Sequence, residues 1–305
     1  MLGQRTVGAK VSCTGIGLHS GQKIDLTINP AEPGTGIYFV RTDLPDQPRI
    51  QAHATNVSAT NNNTTIGSGV EVVHTVEHLL AVLFGLGIDN ALIEINGPEV
   101  PIMDGSGASF LFLIREVGIR ELNTSKKFLK ITDTIKISHN NSWIEIHPCE
   151  HFEIESTIMF PHPVISEQSF SIKMSCQNFI KKIVRARTFG LLRDVDSLKR
   201  KGLIKGGSLE NAIVLDDFQV VNQDGLRFDD EFVRHKILDT IGDFSLLGFE
   251  ILGKIKSYKS GHYLHNQLCR KILANKECYH IMGASSVTTE TTDNFKLVSL
   301  LPISY

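Results

Sequence analysis

No two of the five cysteines, Cys13, Cys149, Cys176, Cys269 and Cys278, stand at C-x-x-C spacing, and their number is odd. This argues against a cysteine-built zinc site, and a reducing compartment is expected. Long apolar runs are missing as well. The longest, Leu79 to Ile88, is interrupted by Gly85 and Gly87 and is too short to span a bilayer. Arg5 and Lys10 bracket no apolar run, so no secretory signal is expected. An excess of one charge is also lacking: the formal net charge is −2, which gives no general affinity for nucleic acid or an anionic membrane. What is present is ordinary for a globular protein, 41% hydrophobic and 21% charged. The 305 residues suffice for two domains or one large one with a sizeable core. A cytoplasmic monomer without stable membrane insertion is expected.

Along the chain, Lys23 to Ile28 alternates polar with apolar and Gly36 to Val40 is rich in β-formers, so both read as strands. The glycine-rich stretch TGIGLHSG, Thr14 to Gly21, carries His19 and reads as a hairpin turn rather than a phosphate loop. Residues 51 to 70 are polar, with Asn61, Asn62, Asn63, Thr64 and Thr65 in a row, and fit a surface loop or small inserted sheet. Thr75 is a candidate N-cap for a helix through Leu79, Leu80, Leu83 and Phe84 that Gly85 or Gly87 ends. A strand over Asn90 to Ile95 and a helix over Ala108 to Val117 complete a first half. The polar segment Glu121 to Lys127 marks the domain boundary. Beyond it come strand-like runs at Phe128 to Ile137, Trp143 to Ile146 and Phe152 to Phe160, then a helix from Asn178 to Arg185. A charged, then glycine-rich, then apolar segment fills Leu191 to Phe218. A helix, the strand-like run Ile251 to Lys256 and a helix from Tyr263 to Ala274 follow, so the second half repeats the first in architecture. The pattern predicts α+β halves at 1–122, with an insert near 43–70, and at 123–280, with an insert near 191–220. A tail covers 281–305.

Two stretches carry chemistry. Asp229 to Phe244, DDEFVRHKILDTIGDF, has an acidic first turn suited to a helix N-terminus. At ~100° per residue Val233, Ile237, Leu238, Ile241 and Phe244 share one apolar face. His235 and Asp239 lie on the other side, one turn apart, with Asp243 a further turn along. An imidazole and a carboxylate one turn apart on a rigid element form half of a zinc site. The second stretch, His74 to His78, reads HTVEH and fits H-x-x-E-H, the spacing of a class of zinc peptidases. Two ligand sets therefore compete. One takes His74, His78 and a distant carboxylate. The other takes His78 with His235 and Asp239. An N-cap at Thr75 leaves His74 outside the helix, which favours the second set.

TVEHLLAVLFGLGIDN, PIMDGSG, RARTFG, GLRFDDEFVRHKILDTIGD and YKSGH, in this order, together with the opening RTVGAKVSCTGIGLHSG, resemble the UDP-3-O-acyl-N-acetylglucosamine deacetylase family. The similarity covers roughly residues 5 to 275. In that family a zinc ion supports removal of an N-acetyl group, the committed step toward bacterial lipid A. The resemblance implies two similar α+β domains, each a sheet layer on a pair of helices, with the helices meeting at the domain interface. It implies an amphiphilic UDP-sugar as the substrate and one Zn²⁺, replaceable by Fe²⁺ in the cell, as the cofactor.

Carried over position by position, the resemblance makes His78, His235 and Asp239 the metal ligands and Glu77 the base that takes a water proton. Thr188 offers its hydroxyl to the oxyanion, and His262 gives a proton to the departing amine. Asp243 orients His262, with His265 the rival acid. Lys236 and Lys259 face the diphosphate and sugar, and Phe160 and Phe189 bind substrate near its rings. Val195, Ile204, Ala212 and Val214 line a passage for the acyl chain, or else pack as core. Two rival functions remain, a zinc peptidase built on His74 and His78, and a non-catalytic binder of nucleotide sugar or acyl chains. A non-catalytic zinc would need a closed four-ligand shell, and only three ligands are found.

Overall fold

Alternation in Lys23–Pro30 buries Ile24, Leu26 and Ile28 and turns Lys23 and Asp25 outward, which is what a strand with one covered face requires. In the computed structural model of the chain, which describes residues 2–287, this strand lies inside a five-stranded sheet. Its order is Val11–Ile16, Lys23–Pro30, Ala91–Ile95, Ile37–Arg41 and Arg49–Gln51, and only the Ile37–Arg41 pairing with Ala91–Ile95 is parallel. The polar insert forms a small antiparallel sheet of Val57–Ala59, Thr65–Ser68 and Glu71–Val73.

A second, seven-stranded sheet is built around Glu250–Tyr258. Residues 250–252 of this strand run parallel to 128–130, and residues 254–258 run antiparallel to 143–147. Its other edge runs parallel to Phe152–Met159. The run Phe128 to Ile137 divides into two strands, Lys127–Ile131 and Ile135–His139. Glu121 to Ser125, read as the domain boundary, lies in the strand Ile119–Ser125, which pairs with Gly3–Val7. Tyr279–Gly283, partly within the segment read as a tail, pairs with Lys127–Ile131. The rest of that tail, from 288 on, lies outside the described residues.

Six α-helices are described: α1 (Glu77–Gly85), α2 (Ala108–Val117), α3 (Cys176–Lys182), α4 (Leu192–Arg200), α5 (Glu231–Ser245) and α6 (His262–Ala274). The protein is α+β, as expected. Two expectations are corrected, and one unassigned stretch takes its form. Thr75 does not cap α1: it holds a left-handed φ of 58° and the residue preceding the helix is Val76. The helix assigned to Asn178–Arg185 begins at Cys176, because Ser175 accepts the Asn178 N–H and caps it. The charged stretch after Leu191 is the helix α4, with Val195 and Leu198 half-buried and the charges outward.

Helix α1 is apolar on nearly every side and is buried accordingly, Leu79 to Leu83 included. Its first turn lies on α5. The two backbones approach so closely that a Cβ at Gly242 would stand 2.0 Å from the Glu77 carbonyl oxygen. The polar side of α5 is therefore not solvated: His235, Asp239 and Asp243 are as buried as Ile237 and Leu238. One continuous apolar core joins both halves through these helices. A fully buried Lys126 adds a second tie, donating to Asp89, Glu250 and the Gly87 carbonyl. No helix among the described residues is long and apolar enough to cross a membrane.

The crossing predicts that Gly242→Ala drives α1 off α5. Overpacking of this kind costs ~1–3 kcal/mol, a melting loss of several degrees in a chain of this size. Thermal melts measure it, and an unchanged melting temperature would show that the contact is softer than the backbone distance implies.

Candidate active site

Helix α1 starts at Glu77, so Glu77 and His78 occupy its first turn and diverge by ~100°. His78 turns toward α5, and its Nε2 lies 3.5 Å from Asp239 Oδ1. His235 Nε2 lies 3.3 Å from the same oxygen, one helical turn away. The two imidazoles meet edge to face, with centroids 4.9 Å apart. One ligand atom from each of His78, His235 and Asp239 lies within 4.8 Å of the others, and all three residues are buried. His235 Nδ1 is 3.0 Å from the Ala186 carbonyl, which can only accept, so Nδ1 carries the proton and Nε2 presents its lone pair. Burial holds this imidazole neutral, pulling its pKa down to about 3 against the pull of Asp239. Asp239 Oδ2 takes a 2.9 Å bond from Lys236, yet its buried Oδ1 has no hydrogen-bond partner. An orphaned carboxylate oxygen between two imidazole nitrogens, that of His235 fixed as a lone-pair donor, is an electron-rich gap. A divalent cation satisfies all three donors.

Beside this gap stands a buried carboxylate–imidazole pair. Glu77 Oε2 accepts the Thr64 N–H at 3.0 Å, and Oε1 lies 4.0 Å from His262 Nε2. Burial raises the Glu77 pKa, against the lowering effect of His262 and His78. His262 opens α6, and its Nδ1 is 2.8 Å from Asp243 Oδ2. Burial alone would lower the pKa of this imidazole, but the charge and hydrogen bond of Asp243, with Glu77 behind, push it up to about 9. His265, the rival acid, also bonds Asp243 Oδ2, at 2.7 Å. Its Nε2 is turned toward Ser260 and Thr240 and away from Glu77, so it buttresses Asp243.

Of the other predicted residues, Thr188 lies two positions after the Ala186 carbonyl and is fixed by backbone bonds to Gly105 and Ile213. Phe189 packs edge-on to Phe160, to Phe232 and to the His235 ring, and Lys236 stands 5.6 Å over it. Lys259 is exposed, just ahead of His262. Val195, Ile204, Ala212 and Val214 are half-buried. Ala212 and Val214 alternate with the fully buried Ile213 and Leu215, so the first two point away from the core. His74 bonds Thr65 at 2.8 Å and is not among the clustered ligands.

Thr64 is the residue that sequence reading missed. It is buried, donates its N–H to Glu77, gives its hydroxyl to Asp243 Oδ1 at 2.5 Å, and lies 3.2 Å from His262 Nδ1. The polar run Asn61 to Thr65 reads as solvated loop, but a left-handed turn at Asn62, φ 64°, swings the chain inward. Thr75, also left-handed, costs roughly 1–3 kcal/mol of strain and is held by bonds from His74, Val76 and its own hydroxyl. Arg187 and the fully buried Glu231 fix the Ala186–Phe189 segment against α5 through several hydrogen bonds.

The family model described as UDP-3-O-acyl N-acetylglycosamine deacetylase matches residues 4–274. The UDP-3-O-acyl-N-acetylglucosamine deacetylase of Myxococcus xanthus is 50% identical over 281 residues, 92% of this chain and 90% of that protein. The proteins of the same name from Haemophilus influenzae and Shewanella pealeana are 46% and 48% identical, over 92% and 93% of this chain and 93% and 94% of theirs.

The Asp243–His262 bond predicts a pH signature. A raised pKa means that the charged imidazole stabilises the fold fully below its unfolded value of ~6.5, and that this contribution is lost as pH rises through about 9. In the metal-free protein, NMR titration should place His262 near 9 in the wild type and far lower in Asp243→Asn. The melting difference between the two should narrow above that pH. A gap that widens with alkali would refute the pairing.

Proposed function

This chain belongs to the UDP-3-O-acyl N-acetylglycosamine deacetylase family, and from that premise we propose that His78, His235 and Asp239 hold its catalytic zinc ion. The protein is a hydrolase that removes the N-acetyl group of a UDP-3-O-acyl-N-acetylglucosamine, leaving a free amine and acetate, on the route to lipid A. The observation that carries the metal assignment is the orphaned Asp239 Oδ1 between two imidazole nitrogens, one of them fixed as a lone-pair donor. Two nitrogens and one oxygen leave a coordination position open and suit Zn²⁺ or Fe²⁺. Bound there, the ion supplies Lewis-acid polarisation of the amide and acidifies a water.

The chain's own groups then divide the proton work. Glu77, aimed by the Thr64 N–H, takes a proton as the water oxygen adds to the acetyl carbon. The Thr188 hydroxyl donates to the oxygen on which negative charge develops. His262, kept cationic by Asp243, delivers its Nε2 proton to the nitrogen as the C–N bond breaks. Acetic acid and the free amine leave, the acid releasing its remaining proton to bulk water as acetate, and the proton on Glu77 restores His262. The 4.0 Å between the two groups supports that return. Lys236 and Lys259 supply positive charge for the diphosphate, and Phe160 and Phe189 supply apolar faces for the rings. All five cysteines are free, which supports a reducing, cytoplasmic location. A peptidase site on His74 is disfavoured because that imidazole is committed to Thr65.

Acetate release from the acylated UDP-sugar, with and without chelator, tests the reaction. Metal analysis of dialysed variants tests the ligands: one ion per chain in wild type and in His74→Ala, none in His78→Ala, His235→Ala or Asp239→Ala. Glu77→Gln should keep its metal and lose activity by at least ~10². Full metal in His235→Ala would sink the site.

The outward direction of Ala212 and Val214 supports the acyl passage over ordinary core. Ala212→Leu should block it and expel three or four methylenes. At ~0.8 kcal/mol each this is on the order of 10² in kcat/KM for a long-chain substrate, with a short-chain analogue barely affected. Core packing forecasts instead a stability loss of ~1–3 kcal/mol and equal rates for both chains. Paired kinetics and melts decide between them.

A further inference from the structure

The loop Gly17–Gly21 lies outside the acid–base site, yet it is gripped from two sides. On one side it carries the insert. The Lys205 N–H donates to the His19 carbonyl at 3.3 Å, Gly206 N–H to the Leu18 carbonyl at 3.0 Å, and Ile204 N–H to His19 Nδ1 at 3.4 Å. The fit is tight: a Cβ on Gly206 would stand 2.4 Å from the Gly17 carbonyl oxygen. On the other side a single carboxylate holds the loop. Glu99, with no exposed surface, accepts the His19 N–H at 2.9 Å on Oε1 and the Ser20 N–H at 2.8 Å on Oε2. Its Oε1 also accepts the hydroxyl of Thr75 at 3.1 Å. Thr75 is the left-handed residue from which the chain enters α1, two positions before Glu77 and three before His78.

We infer that Glu99 is a positioning residue that couples the seat of the acyl chain to the placement of the base. The inference rests on the deacetylase reading above and on Ile204 belonging to the acyl passage. The physical argument is that one rigid, buried anion bonds the backbone that carries the insert and the hydroxyl that holds the entry to α1. Displacement of either end is felt at the other because the carboxylate cannot turn without giving up a bond. An acyl chain that settles the Ile204–Gly207 segment then fixes Thr75 and with it Glu77. Binding energy from a remote part of the substrate thereby appears in kcat and not only in KM.

Glu99→Gln keeps the shape but must aim an NH₂ at one of the two backbone N–H groups. Gly206→Ala pushes the insert off the loop from the far side, and the double variant joins them. Each is assayed as the metal-loaded full chain with long-acyl and short-acyl UDP-sugars, alongside melts and metal analysis. In each single variant the long-to-short ratio of kcat/KM should fall about tenfold, chiefly through the long-chain kcat. The short-chain value should stay within about threefold and the metal at one per chain. The double variant should lose little more selectivity than either single one, because both cut one path. An unchanged ratio, equal losses on both substrates, or fully additive losses would overturn the coupling and leave Glu99 a scaffold residue. Should Glu99→Gln fail to fold, Gly206→Ala decides alone by the same ratio. A wild type that releases no acetate would remove the deacetylase reading itself. A wild type with normal chain-length preference beside a Glu99→Gln that retains it would remove only the coupling.

Discussion

The close crossing of α1 on α5 is the contact on which the rest depends. Gly242 has no side chain where a methyl group would strike the Glu77 carbonyl, so the helices touch backbone to backbone. That approach brings His78 within 3.5 Å of Asp239 and closes a polar gap between two otherwise apolar surfaces. Apolar burial on the other faces of both helices supplies the force, since one core runs through Leu79 to Leu83 and through Ile237, Leu238 and Ile241.

Burying four imidazoles and three carboxylates in one place is costly unless each polar atom has a partner. Nearly all do. Asp243 takes three hydrogen bonds from Thr64, His262 and His265, Glu77 takes one from Thr64, and His235 gives one to Ala186. The exception, Asp239 Oδ1, lies where a cation would satisfy it. A buried, hydrogen-bonded network is also rigid. That rigidity holds Glu77 and His262 a few ångströms apart, the carboxyl pKa raised by burial and the imidazole pKa raised by Asp243.

Two strained residues show how loops deliver these groups. Left-handed φ values at Asn62 and Thr75 turn their segments so that Thr64 enters the site and α1 begins at Glu77. Thr75 is held by Glu99 and by neighbouring backbone bonds, which is how a sterically unfavourable conformation persists. Threonine before an apolar run usually caps a helix, but the left-handed φ of Thr75 puts Val76 at that position instead. His74 lies outside the helix all the same.

Local pattern determined much of this protein. Period-two alternation gave the strands around Ile24 and Ile93, and period 3.6 gave α2, α5 and α6 to within a residue or two, because a side chain's partition between core and water repeats with the backbone. The i,i+4 spacing of His235 and Asp239 showed half of the buried His78–His235–Asp239 cluster for the same reason. The other half was present as His78, but its pairing with α5, 157 residues away, stood beside a rival pairing with His74 that local pattern alone did not remove. Tertiary structure alone decided that the polar side of α5 is buried, that Thr64 leaves a polar run to join Glu77 and Asp243, and that Glu99 reaches both His19 and Thr75. Each of these depends on residues far apart in the chain, and a hydrogen bond between distant segments leaves no periodic trace along the sequence.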